Sequence, residues 1–202
     1  MRIAIVGAPS SGKTSLATAV YSALKASGRN VELAYEFIRY DIMAHGPMKS
    51  IWEQYRTRQN QKELEDAIPS SVDYVIVDGG LLLPYFFAVL YANPDEPRQR
   101  LVLQDMYHYF LDDLYLRRYD LVFYLPLLAG RQRFDGTRYQ NDHEIALLDE
   151  HMRLMFTKLH CVSGIWAINS GFDQRLDEVM WKILGVDYLT LQYSSDTLQI
   201  AV

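Results

Sequence analysis

A doubly wound α/β fold, with a five-stranded parallel sheet and helices on both faces, is predicted by three features of the sequence. Short β-rich runs alternate with helical stretches along most of the chain. The run at 73–78, "DYVIVD", is nearly continuous in apolar residues, as a strand buried on both faces should be. The segment "GAPSSGKT" (7–14) stands directly between a strand-like run and a helical one.

In chain order, "RIAIV" (2–6) is the first strand. The helix after it carries Leu16, Val20, Ala23 and Leu24 on one face and ends at a Gly28 cap. "VELAY" (31–35) is the second strand, and a polar helix follows at about 50–67. After the third strand, residues 81–92 read as a buried or cleft-lining helix, too short and Pro84-interrupted to cross a bilayer. "NPDEP" (93–97) turns into a helix with Leu103, Met106, Tyr107, Phe110 and Leu114. "DLVFYLP" (120–126) is the fourth strand. A Gly- and Arg-rich loop (128–142) precedes a helix with Ile145, Leu148, Met152, Met155, Phe156 and Leu159 at helical spacing. "IWAIN" (165–169) is the fifth strand and 172–184 the last helix. The expected organisation is one domain over 1–185 and a tail over 186–202, which alternates like a strand and suits an edge strand, an oligomer contact or a loose terminus.

The 202 residues are enough for an independent core. A net charge of −5 argues against a general nucleic-acid binder, although a local basic groove stays compatible with it. One cysteine, Cys161, excludes an internal disulfide framework and reads as packing in a reducing compartment. A strand-like run from residue 2 leaves no cleavable leader, so the expected location is cytoplasmic, or the host cytoplasm for a viral protein, without a membrane partner. The five histidines show no metal-ligand spacing.

"GAPSSGKT" fits G-x-x-x-x-G-K-[ST] at every fixed position. Gly7 and Gly12 let backbone amides approach an anion, Ser10, Ser11 and Ser15 complete the cradle, and the helix N-terminus adds partial positive charge. Lys13 reaches the β- and γ-phosphates of ATP, and the Thr14 hydroxyl ligates Mg²⁺. Asp78, ending the third strand, is the second expected Mg²⁺ or nucleophile-orienting group, with a helix cap as its plain alternative.

The chain has no N-K-x-D for guanine, and its third strand ends in one Asp followed by Gly79 and Gly80. That favours a small phosphotransferase over a GTPase switch or a motor. Glu36, in "YEFIRY", is the expected base for an acceptor hydroxyl, with Arg39 one turn on to hold the substrate. Whether Glu36 or Asp78 is the base stays open. Arg131, Arg133 and Arg138 lie around a "DGT" turn and form an expected lid over the transferring phosphate. Trp52, Tyr55 and Arg56, with Arg58 or Gln59, are candidates to line an acceptor slot. Tyr85, Phe86 and Phe87 read as core first and as a wall of that cleft second.

Together, "GAPSSGKT", "YEFIR", "VDGG" and "YDLVFYLPLLAGRQRFDGTRYQND" resemble the small P-loop kinases of the AAA-like family. That family includes the nicotinamide riboside kinase portion of bacterial NAD-biosynthesis regulators. The resemblance covers residues 1–185. It implies a five-stranded kinase core, a lid holding Asp135, Gly136 and Arg138, and Glu36 and Asp78 on the acceptor and Mg²⁺ side. Gly79 departs from a frequent Arg. The family also has viral members that phosphorylate 5-hydroxymethyluracil in DNA. The expected reaction is therefore transfer of the γ-phosphoryl group of ATP to a nucleoside- or nucleotide-like small molecule. A modified base in DNA is the rival acceptor, and a regulatory ATPase module is the rival from another class.

Overall fold

Alternation along β1 (Arg2–Val6) sets the two layers of the molecule. Ile3 and Ile5 enter one hydrophobic cluster, and Ala4 and Val6 enter the other. This computed structural model describes residues 1–128, 139–159 and 164–185. The expected lid residues Arg131, Arg133, Asp135, Gly136 and Arg138 lie outside them, as do Cys161 and the tail from 186.

Five parallel strands form one sheet: β1, β2 (Val31–Ala34), β3 (Tyr74–Asp78), β4 (Leu121–Tyr124) and β5 (Ile165–Ala167). Their order is β2-β3-β1-β4-β5. One face is covered by α1 (Lys13–Ala26) and α7 (Arg175–Leu184), through Leu16, Val20 and Leu24 and through Val179, Met180 and Ile183. The other face carries α4 (Leu83–Tyr91), α5 (Pro97–Tyr115) and α6 (Asp142–Lys158), which bury Phe86, Phe110, Leu148, Met152 and Phe156. Helices α2 (Phe37–His45) and α3 (Ile51–Asp66) pack together and cover the β2 side of the site.

The sequence-predicted strands and long helices stand within a few residues of their observed bounds. The expected last helix divides into a 3₁₀ turn (Phe172–Gln174) and α7. Helix α2 is marked in the sequence only by the turn from Glu36 to Arg39. Its one buried residue is Asp41, and Tyr40 and Met43 are exposed, so no apolar stripe marks it. No helix among the described residues is long and apolar enough to cross a membrane.

In an open parallel sheet, ligands bind at the carboxyl ends of the strands, where the strand order reverses. Here that place is the end of β1, flanked by β3 and β4.

Candidate active site

The loop after β1 turns so tightly that it leaves no room for side chains at its start. A Cβ on Gly7 would lie 2.5 Å from the Leu125 carbonyl oxygen, on the chain leaving β4. Ser10 adopts φ 72, a left-handed conformation that a non-glycine residue holds only against strain. Such strain is retained where loop geometry matters more than local comfort. Lys13 is buried against the loop, and its Nζ donates to the Ala8 carbonyl at 3.3 Å.

β3 runs parallel to β1, with Asp78 in register with Ile5, which brings its carboxylate beside this loop. Burial raises the Asp78 carboxyl above the usual carboxylate range. The Lys13 ammonium, a Thr14 hydrogen bond and the Arg39 guanidinium pull it back. Oδ1 of Asp78 is buried without a partner. A carboxylate oxygen left open beside a hydroxyl fits Mg²⁺, which takes few protein ligands and fills its shell with water and phosphate oxygens. No group of three or more His, Cys, Asp or Glu gathers to hold a metal among the described residues. Thr14 and Asp78 would hold the ion.

Glu36 comes from the next strand over, at the N-terminal end of α2. A Cβ on Gly79 would lie 3.3 Å from the Glu36 carboxyl and 2.9 Å from Leu83 Cδ1. The glycine thus makes room for the acid, and its φ of 81 suits it to the turn. A side chain at 79 would crowd Glu36, which would have to give by a few tenths of an ångström.

Pro9, Ser10, Gly12, Lys13, Thr14 and Ser15 form one wall of an open cleft of about 260 Å³. Glu36, Ile38, Arg39 and Ile42 line it on the α2 side, with Phe87, Tyr139 and Gln140. Tyr139 donates to the Met48 carbonyl at 2.8 Å and Gln140 to the Tyr91 hydroxyl at 3.0 Å, which fixes both residues at the rim. Ser11 is buried in the loop behind this wall. Tyr85 and Phe86 are core, while Phe87 reaches the cleft.

The structure does not bring Trp52, Tyr55 or Arg56 to this cleft. Trp52 is 49% exposed, Tyr55 packs on Ile51, Ala88 and Met106, and Arg56 pairs with Asp41 at 3.1 Å. Arg58 bonds Asp113 at 2.6 Å. The same helix turns a different face to the site. Gln54, Thr57 and Gln61 line a narrow slot beside Glu36 and Phe87. Because α3 is polar all round, its sequence carries no stripe that says which face is inward.

A second unforeseen residue is Arg175, 1% exposed at the start of α7. Its guanidinium donates to the carbonyls of Ser11 at 2.5 Å, Pro126 at 3.1 Å and Ser170 at 3.4 Å. It ties the phosphate loop to the chain leaving β4 and β5.

A family model described as an AAA domain matches residues 2–165. The chain belongs to this family. No curated protein matches its sequence. In structure, this AAA-domain chain is similar to the NadR protein in complex with NR, with TM-score 0.71 and 16% identity over 92% of this chain and 52% of that one. It thus spans about half the length of the NadR chains it matches. It is also similar to thymidylate kinase from Candida albicans, with TM-score 0.66 and 16% identity over 91% of this chain and 90% of the other. Deoxyadenosine kinase from M. mycoides with bound dATP matches at TM-score 0.57 and 16% identity, over 91% and 98% of the two chains. The family member described here has the P-loop kinase fold.

Proposed function

We propose that this chain transfers the γ-phosphoryl group of ATP to a hydroxyl of a small nucleoside- or nucleotide-like acceptor. The observation that carries the reading is the position of Glu36, which shares one cleft with Gly12, Lys13 and Thr14 of the phosphate loop. A binding module needs the loop, whereas a carboxylate facing it across a cleft is what an acceptor hydroxyl requires.

The loop amides and Lys13 hold the phosphates and draw off charge as the transferred group separates. Thr14 and Asp78 serve Mg²⁺, which when bound neutralises charge on the phosphate oxygens. Glu36 accepts the proton of the attacking hydroxyl, and Asp78, bonded by Thr14 and beside Lys13, is committed to the metal. Arg39 lines the cleft close enough to act on Asp78, and in this reading its guanidinium orients the acceptor. The Arg residues of 129–138 supply the lid in this reading. Thymidylate kinase and deoxyadenosine kinase carry a nucleotide and a nucleoside in their names, and NadR is seen in complex with NR, which supports a small acceptor.

The test is ATP turnover with Mg²⁺ over a panel of nucleosides, nucleoside monophosphates, nicotinamide riboside and hydroxymethyluracil-containing DNA, with products read by mass. One phosphorylated product, lost in Lys13→Ala and in Glu36→Gln, is expected. A product formed on DNA alone, with steep loss as salt rises, replaces the small acceptor with the polymer. Tight ATP binding with no phosphorylated product overturns the reading.

A further inference from the structure

Helix α3 presents Gln54, Thr57 and Gln61 to the slot beside the cleft, spaced so that they share one helix face. All three are at most 3% exposed. Their hydrogen bonding differs sharply. Both ends of Gln61 are engaged: Oε1 accepts from the Phe37 amide at 2.7 Å, and Nε2 donates to Glu65 Oε1 at 3.3 Å. Gln54 is engaged at one end only. Its Nε2 donates to the Met48 carbonyl at 3.0 Å, which fixes the amide and leaves Oε1 as a pure acceptor. That Oε1 and the Thr57 Oγ1 are both buried without a partner.

Buried polar atoms are nearly always paired, because an unpaired one forfeits its bond to water and gains nothing in return. Two orphans one turn apart on the wall of one slot are therefore reserved for something. The slot holds about 10 Å³, enough for one water-sized group. It adjoins the larger cleft, with Glu36, Ile38 and Phe87 lining both. No Lys or Arg lines it.

We infer that the slot reads the acceptor: a ring lying in the cleft against Phe87 inserts an amino or carboxamide N–H into the slot, donating to Gln54 Oε1 and meeting the Thr57 hydroxyl. This rests on the phosphotransfer reading and narrows it to acceptors whose ring bears a neutral donor. A carboxylate in that place would face the Gln54 oxygen with no cation near to offset it, and a ring carbonyl would offer oxygen to oxygen.

The experiment uses the full chain with ATP and Mg²⁺ and two matched pairs of acceptors: nicotinamide riboside against nicotinate riboside, and cytidine against uridine. The donor-bearing member of a pair is expected to be used with at least about 10-fold higher kcat/KM. Gln54→Leu and Thr57→Val should each raise KM for that member about 10-fold and erode the preference, without moving KM for ATP. Thr57→Val adds a readout that a structural role would not give. It removes an unpaired hydroxyl at nearly constant shape, so the thermal midpoint of the acceptor-free protein should hold or rise while acceptor binding weakens. Equal use of both members of each pair, or a preference unchanged in both variants, overturns the inference and leaves phosphotransfer standing. No transfer to any acceptor by the wild type overturns both.

Discussion

At the scale of single residues, a lysine and a glycine make separable claims. Lys13 touches the loop through one bond to a carbonyl, so its removal leaves the core unchanged. Lys13→Ala should therefore cut kcat by roughly 100-fold or more while shifting the melting midpoint little, as paired kinetics and thermal denaturation would read. Gly79 makes a second claim. Gly79→Ala puts a Cβ into a left-handed position, 3.3 Å from the Glu36 carboxyl. It should cost about 1–2 kcal/mol in stability and, if Glu36 is the base as proposed, lower kcat in the same variant. Chemical denaturation and initial rates measure the two effects independently. A loss of stability with full kcat would separate Glu36 from catalysis.

Between elements, a buried carboxylate joins the helix layer to the turn after Asp78. Glu65, at the end of α3 and 0% exposed, accepts from the Tyr119 hydroxyl at 3.0 Å and from Arg118 at 3.2 Å. The Tyr119 hydroxyl in turn accepts from the Leu81 amide at 2.8 Å. Tyr119→Phe leaves that amide and one bond of Glu65 unsatisfied, with an expected loss of about 1–3 kcal/mol in urea unfolding. Burial pushes the Glu65 carboxyl above its ordinary value, against the pull of Arg118. The folded protein then holds this proton more tightly than the unfolded chain does. Stability from this group is full below the unfolded value near 4.5 and is lost as pH rises through the raised folded value. Glu65→Gln should remove that decline, visible as a flatter melting midpoint against pH from 4 upward. These links also mark what the sequence makes legible. The phosphate loop is readable because each fixed position answers a local need: a close approach at Gly7, a charge at Lys13, a hydroxyl at Thr14. Most strands are readable from their apolar runs, β2 less so because Glu32 interrupts it. The inward face of α3 is not, because the apolar Trp52 is the exposed residue there and the polar Gln54 the buried one. Arg175 is not either, since its partner Ser11 lies 164 residues away.

Over the whole molecule, ligand binding and folding are linked through the loop. A nucleotide that binds only the folded state at 100 times its Kd should add about 2.7 kcal/mol of stability. A thermal shift with ATP and Mg²⁺ should show this in the wild type and lose most of it in Lys13→Ala. Arg175→Ala removes three carbonyl contacts at once from a buried site and should cost roughly 3 kcal/mol while also weakening that shift. The strand order has a further consequence. Glu36 and the Gln54–Thr57 wall descend from the β2–β3 side of β1, whereas Arg175 reaches the loop from the β5 side. Substitutions on one flank need not be matched by substitutions on the other. A lineage built on this sheet is free to exchange what it phosphorylates while inheriting how it grips the donor. Chains with the same scaffold and 16% identity, two named for deoxyadenosine and thymidylate and one seen in complex with NR, are the record such a division of labour would leave.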